Sequence, residues 1–323
     1  MLRSFMRAWL VALGVAGASV TASAQDYPTR PIRLIVAYPA GGPTDIIARI
    51  TAEFLSQRLG QNVVVENRTG AGSQVGTDYA SKQAPDGYTL IMGSTDGVSM
   101  LPAVKKSLPY RPEDFTYIGT VAKSTPVIAI NGKLPYQSMA ELIAFAKANP
   151  GKLRYGTTGV GGGGHLSTEF IAKAADLRLV HVPYPGSAPA LTATVGGFVD
   201  MFVAGGAAVK SFSDAGTLRV LATVDKERHR LFPNAPTVGE AGLPEMNVAL
   251  YIGVMGPAGI PAPIVERLGK EVAALAKDEK SAERIRAAGL EAVYIDAATM
   301  KDYMIKDVER WREVAKSGNI SLE

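Results

Sequence analysis

The stretch Leu34-Ile-Val-Ala-Tyr-Pro-Ala-Gly-Gly-Pro-Thr-Asp45 decides how the chain reads. An apolar run ends in a Pro/Gly/Gly loop and opens into a segment with apolar residues at Ile46, Ile47, Ile50, Phe54, Leu55 and Leu59. The spacing predicts a strand, a tight loop and an amphipathic helix closed by Gly60. The first N–H groups of such a helix lack intrahelical partners and carry a partial positive charge, which suits an anion. An ordinary βα turn of an α/β domain gives the same pattern, so the stretch alone leaves both readings open.

The same grammar repeats outward from it. Asn62–Glu66 reads as a strand, 67–73 as a second glycine-rich loop, and a helix runs to about Gln83. Tyr88–Gly93 is a third strand, ending in Ser94-Thr95-Asp96-Gly97. This βαβαβ alternation predicts a parallel sheet with loops gathered at the carboxyl ends of its strands. From Phe115 to Ile130 the chain reads as mostly extended, and then a second α/β series begins. Its elements are a helix capped by Ser138 and Glu141, strand Leu153–Thr157, the run Thr158-Gly-Val-Gly-Gly-Gly-Gly164, and a helix from His165 to Ala175. Strand Leu179–Val182, a helix around Ala188–Val195, and strands Val199–Val203 and Leu218–Thr223 follow. Val248–Met255 is again extended, and the tail reads as helices over 263–277, 281–288 and 299–316, the last capped by Thr299 and Asp302. The extended segments near 117–130 and 248–255 read as two crossings between domains. Residues 25–124 with 248–323 then form a discontinuous first α/β domain, and 125–247 an inserted second one.

Residues 1–24 read as a secretory signal peptide. Arg3 and Arg7 precede an apolar run from Ala8 to Val20, and Ala22-Ser-Ala24 offers a cleavage site before Gln25. A periplasmic protein follows. The chain has no cysteine, which excludes disulfides, thiolate-bound metals and a lipidated cysteine. Its formal charge of +4 falls to +2 without the two signal arginines, and no basic run carries interleaved aromatics, so nucleic acid is not an expected partner.

Enzyme motifs fail one by one. Gly159–Gly164 satisfies G-x-G-x-x-G, but the next strand ends Val182-Pro-Tyr184 where a dinucleotide site needs an acid for the ribose. No Walker loop occurs. Gly93-Ser94-Thr95-Asp96-Gly97 resembles a nucleophile elbow only with threonine as nucleophile, and no histidine is its obvious partner. The three histidines lack metal-ligand spacing, and no cofactor is implied. His165 opens a helix beside the glycine run, where it either donates to a ligand or serves the helix start. Thr44 and Asp45 are equally capping groups or contacts. Asp200 faces either the cleft or a core hydrogen bond, and Arg68 reads as a solvated loop arginine. What assembles instead is four loops of one character, 38–45, 94–96, 157–165 and 184–188, each offering N–H groups, hydroxyls and aromatics. Several such donors together hold a carboxylate without an arginine.

Six motifs then identify a resemblance. They are 35–45 within the opening stretch, Val65-Glu-Asn-Arg-Thr-Gly-Ala-Gly72, Pro85-Asp-Gly-Tyr-Thr-Leu90, Val182-Pro-Tyr-Pro-Gly-Ser-Ala-Pro-Ala-Leu191, Pro236-Thr-Val-Gly-Glu-Ala-Gly-Leu243 and Gly256-Pro-Ala-Gly-Ile-Pro261. In this order they resemble the tripartite tricarboxylate transporter solute receptors, also called the Bug family, over essentially the whole mature chain. The resemblance implies a type II-like periplasmic binding protein fold, with two α/β domains joined by two crossing strands and closing over a small carboxylate. The solute classes implied are di- and tricarboxylates, aromatic acids and amino acids. The partners implied are membrane permease subunits, and the receptor is expected to act as a monomer. Carried over, it points to Tyr38, Ala40, Gly41, Gly42, Thr44 and Asp45 on one side. Thr157, Thr158, Gly159, His165, Tyr184 and Ala188 face them, with Ser94 at the edge; Asp200, from its place in a strand and not from the resemblance, is a further candidate. Tyr38, Ala40, Tyr251 and the glycine-rich 159–164 loop depart from the usual family pattern. The competing reading is an exported hydrolase using Ser94 or Thr95, which the missing base and metal set disfavour.

Overall fold

The computed structural model describes residues 27–318 except 106 and 247. The signal peptide and cleavage site expected from the sequence therefore lie outside the described residues. Two mixed sheets organise the chain. The first contains β1 (Ile32–Val36), β2 (Val63–Asn67), β3 (Thr89–Ser94), β4 (Phe115–Ser124), β10 (Leu250–Pro257) and β11 (Glu291–Ala292), in the order β11-β4-β10-β3-β1-β2. The second contains β5 (Pro126–Asn131), β6 (Arg154–Thr157), β7 (Val180–Pro183), β8 (Met201–Gly205) and β9 (Leu218–Thr223), in the order β7-β6-β8-β5-β9.

The expected parallel sheet holds only for half of each. β2-β1-β3 and β7-β6-β8 are parallel, as right-handed crossovers through α1 (Pro43–Leu59), α2 (Gln74–Ser81), α5 (Gly163–Ala174) and α6 (Ser187–Gly196) require. The remaining main strands are antiparallel, because β10 and β5 each enter from the other sheet and run against both neighbours. The two sheets thus repeat one topology, β2-β1-β3-β10-β4 matching β7-β6-β8-β5-β9. The chain passes from one sheet to the other at Thr125, between β4 and β5, and returns between β9 and β10.

Apolar clusters cover both faces of each sheet. Ile47, Leu55, Leu268 and Val272 close one face of the first sheet under α1 and α8 (Ala262–Lys277), with α9 (Glu279–Ala287) alongside. Met300 and Met304 of α10 (Ala297–Gly318) close the other. Further along the same helix, Trp311 and Ala315 join the core of the second sheet with Met139 and Leu142 of α4 (Met139–Ala148) and Leu166 of α5. One 22-residue helix is therefore rooted in both cores. The helical segment that continues through α3 (Leu101–Val104) does the same, with Val98 in the first sheet's core and Met100 and Val104 in the second's.

Several local signals hold with small shifts. Gly60 closes α1 in the left-handed conformation, at φ 70°. Ser138 accepts the Glu141 N–H, while the Glu141 carboxylate returns to the N–H of Gln137 and not of Ser138. The start of α10 corrects the expected cap. Asp296 receives the N–H groups of Ala298 and Thr299, so the helix begins two residues before the Thr299 start read from the sequence. The helical turns over 96–104 and α7 (Gly206–Asp214) were not anticipated, since glycine at 97, 205 and 206 reads as loop.

Candidate functional site

The loops that follow the parallel strands of the two sheets meet. A Cβ placed on Gly186 would lie 3.6 Å from the Pro39 ring, and one on Gly72 would lie 3.1 Å from the Val160 carbonyl. The Gly163 N–H, in the first turn of α5, donates to Asp96 Oδ1 at 2.9 Å. The starts of α1, α5 and α6 therefore converge on one cleft. None of the three has a side-chain cap from its own N-cap residue, which is Gly42, Gly162 and Gly186 respectively.

On the first side, Asp45 builds the loop and is itself enclosed, at 1% exposure. Its Oδ2 accepts from the Gly41 N–H and Arg49 Nε, both at 2.9 Å, and its Oδ1 from Asn67 Nδ2 at 2.9 Å and Arg49 Nη2 at 3.1 Å. Burial pushes the carboxyl up, but the bonds from Arg49, Gly41 and Asn67 outweigh it and hold the pKa below the ordinary value. Gly41 takes φ +80°, a conformation that excludes ordinary side chains at the bend. Asn67 Nδ2 also holds the Tyr38 carbonyl, and the Tyr38 hydroxyl meets Ser94 Oγ at 2.7 Å. Ala40 is exposed at the loop tip, Gly42 is half-buried, and Thr44 is buried in the first turn of α1, where N–H groups have no helical partner.

On the second side, Thr157 is closed off. Its hydroxyl bonds to the Gly159 carbonyl at 3.0 Å and to His181 Nε2 at 2.7 Å, joining the loop to the next strand. His165 Nδ1 accepts the Gly161 N–H at 3.2 Å, which leaves Nε2–H as its one donor. The His165 and His181 rings stack at 4.1 Å, with Tyr155 against His181 at 4.9 Å. Burial lowers the pKa of both histidines to about 4, His181 being lowered further by His165, so both rings are neutral at pH 7. Thr158 and Tyr184 are half-buried, Gly159 bends at φ +140°, and Ala188 is exposed at the start of α6.

Two sequence candidates are corrected. Asp200 sits at the opposite ends of the strands, where it accepts the Arg154 N–H at 2.7 Å and pairs with its guanidinium. The carboxylate is used up in pinning β6 to β8, away from the loops. The hydrolase reading also fails. Thr95 Oγ1 is held by the Tyr251 backbone at 2.8 and 3.3 Å, Ser94 Oγ by Tyr38, and among the described residues no histidine bonds to either hydroxyl. Arg68 is not a free solvated arginine, since it pairs with Glu66 and lies 3.7 Å over the Tyr79 ring. No group of three His, Asp or Glu stands together as a metal site among the described residues.

Asp96 lies within the 94–96 candidate loop, but its own role is not legible in the sequence. It reads as part of a turn after β3, and only the meeting of the two sheets places its carboxylate on α5. Burial raises its pKa to about 6, and the Gly163 N–H only partly offsets this.

A family model described as the tripartite tricarboxylate transporter family receptor matches residues 47–320. Protein BugT of Bordetella pertussis is 34% identical over 317 residues, covering 96% of each chain. Two solved structures share the fold. R. palustris Rpa4515 with adipate is 33% identical, with a TM-score of 0.86 over 92% of this chain and 99% of that one. MatC (Rpa3494) from Rhodopseudomonas palustris with bound malate is 26% identical, with a TM-score of 0.83 over 89% of this chain and 99% of that one. With two α/β halves whose loops meet, and with a family model and a relative that match nearly the whole chain, the chain belongs to the tripartite tricarboxylate transporter receptors, a family of solute-binding proteins.

Proposed function

We propose that the protein captures a small carboxylated solute between its two domains, releases it chemically unchanged, and passes it to the membrane permease of a tripartite transporter. The observation that carries this reading is the convergence of the helix starts of α1 and α6, neither with a side-chain cap, on the cleft that they share with the start of α5. Backbone N–H groups and the Tyr38 and Ser94 hydroxyls are then the donors for a carboxylate, each charge-assisted bond contributing about 1.5–3 kcal/mol. Adipate in Rpa4515 and malate in MatC support a carboxylate as cargo. Solved relatives that are periplasmic proteins support export of this chain, with a signal peptide cleaved before Gln25.

In this reading Tyr38, Ala40, Gly42 and Thr44 meet the solute from the first domain. Thr158, Gly159, His165 through Nε2–H, Tyr184 and Ala188 meet it from the second. Gly41, Asp45 and Thr157 shape the loops from behind. The domains divide at 124/125 and 247/248, with α10 spanning both. Closure turns about the two crossings, beside the Lys123–Asp225 ion pair at 3.1 Å that links them.

The test is a thermal-shift screen of the mature protein against mono-, di- and tricarboxylates, aromatic acids and amino acids, with mass spectrometry of the recovered solute. A solute at 100 times its Kd raises stability by about 2.7 kcal/mol. A hit recovered unchanged supports the receptor. A hit that is consumed, or no hit among carboxylates, overturns it.

A further inference from the structure

Of the helix starts that face the cleft, one is already occupied by an anion of the protein itself. Asp96 belongs to the first sheet's side, in the turn after β3, and its Oδ1 takes the Gly163 N–H of α5 across the domain boundary at 2.9 Å. Gly162, the N-cap of α5, has no side chain with which to do this. The Asp96 carboxylate thus stands where an anionic group of a ligand would otherwise be drawn by the helix. A Cβ on Gly163 would lie 3.0 Å from Oδ1, and one on Gly162 3.9 Å from Oδ2, so both glycines leave room for the carboxylate.

Among the described residues no lysine or arginine pairs with Asp96, and the nearby Asp307 of α10, itself beside Arg310, adds a second acid behind it. Tyr38, a wall of the same cleft, feels the Asp96 charge. Asp96 itself is not sealed, being half-buried.

We propose that Asp96 sets the charge of the solute end that reaches α5: that end is neutral or cationic, so the cleft takes monocarboxylates or ω-amino carboxylates in preference to dicarboxylates. A second carboxylate directed at α5 would have to displace Asp96 or lie against an unpaired like charge. This specificity rests on the carboxylate-receptor reading above.

The test is calorimetric titration of the mature protein and of Asp96→Asn with matched straight-chain mono-, ω-amino- and dicarboxylates of four and six carbons, hexanoate, 6-aminohexanoate and adipate among them. Asparagine keeps an oxygen for the Gly163 N–H and removes only the charge. The wild type binds the mono- or amino-carboxylate at least roughly tenfold more tightly than the matched dicarboxylate, and Asp96→Asn narrows that ratio to about threefold or less. A purely structural role for Asp96 would shift all three affinities together and leave the ratio unchanged, which overturns the proposal while the receptor reading stands. Equal or tighter dicarboxylate binding by the wild type overturns it without need of the variant. Absence of binding by every member overturns this specificity, while the carboxylate reading stands or falls on the wider screen above.

Discussion

Replacing Asp45 by asparagine conserves shape and is nonetheless expected to damage the loop over the cleft. Each carboxylate oxygen accepts from two donors, Oδ2 from Gly41 N and Arg49 Nε, and Oδ1 from Asn67 Nδ2 and Arg49 Nη2. An amide has one acceptor and one NH₂, so either flip sets the NH₂ against two donors. The Arg49 side chain is 54% exposed and rehydrates, so its share is discounted. What remains is one lost bond to a charged acceptor and one donor left facing another, about 1–3 kcal/mol. For a chain of this size that lowers the melting temperature by roughly 2–5 °C. The pH dependence has a fixed sign. The folded-state pKa of Asp45 lies below the unfolded value near 3.9, so its contribution is fully present above that value and disappears as pH falls through the folded pKa. The wild type and Asp45→Asn are therefore separated at pH 7 and converge in strong acid. Scanning calorimetry from pH 7 downward, with solute titration at pH 7, measures both. Equal melting temperatures and equal solute affinity at pH 7 would refute the idea that this carboxylate shapes the loop.

Two further outcomes follow from the second domain. Gly164→Ala would set a Cβ 2.6 Å from the Val203 carbonyl of β8, so α5 must move off the sheet. The expected net loss is about 1–3 kcal/mol despite the better helix former, with weaker solute binding, read by melting and titration. In proton NMR the His165 and His181 rings should stay neutral down to about pH 5, because burial sets both near 4. The unfolded chain takes up these protons near 6.5, so the two rings remove stability as pH drops from there toward 4. Asp96 and Asp307, raised to about 6 by burial, act in the opposite sense over about pH 4–6. A His165 or His181 signal titrating near 6.5 would show that the stack is open to water.

Local order was legible because it is written in local chemistry. Apolar periodicity over 46–59, the Gly60 stop and the Ser138/Glu141 pair each specify a helix boundary within a few residues. Repetition of strand, glycine loop and helix announced two α/β halves, and six motifs in order announced the family. Glycine misled where packing overrides propensity, as in α7, whose Val209 is drawn into the core beside Phe202.

The sequence by itself determined the fold class and the two places where the chain changes sheets, since each is written in runs of neighbouring residues. Only the tertiary structure decided what individual side chains in those loops do. Asp45 and Asp200 are both acids beside an arginine, yet one folds the cleft loop and the other pins strand ends on the far side. Thr157 and His181, 24 residues apart, satisfy each other within the second domain. Asp96 acquires its role from Gly163, 67 residues away and on the other sheet's helix. A carboxylate's work is set by which donors reach it within about 3 Å, and that distance is fixed by how the strands and domains come together, not by spacing along the chain.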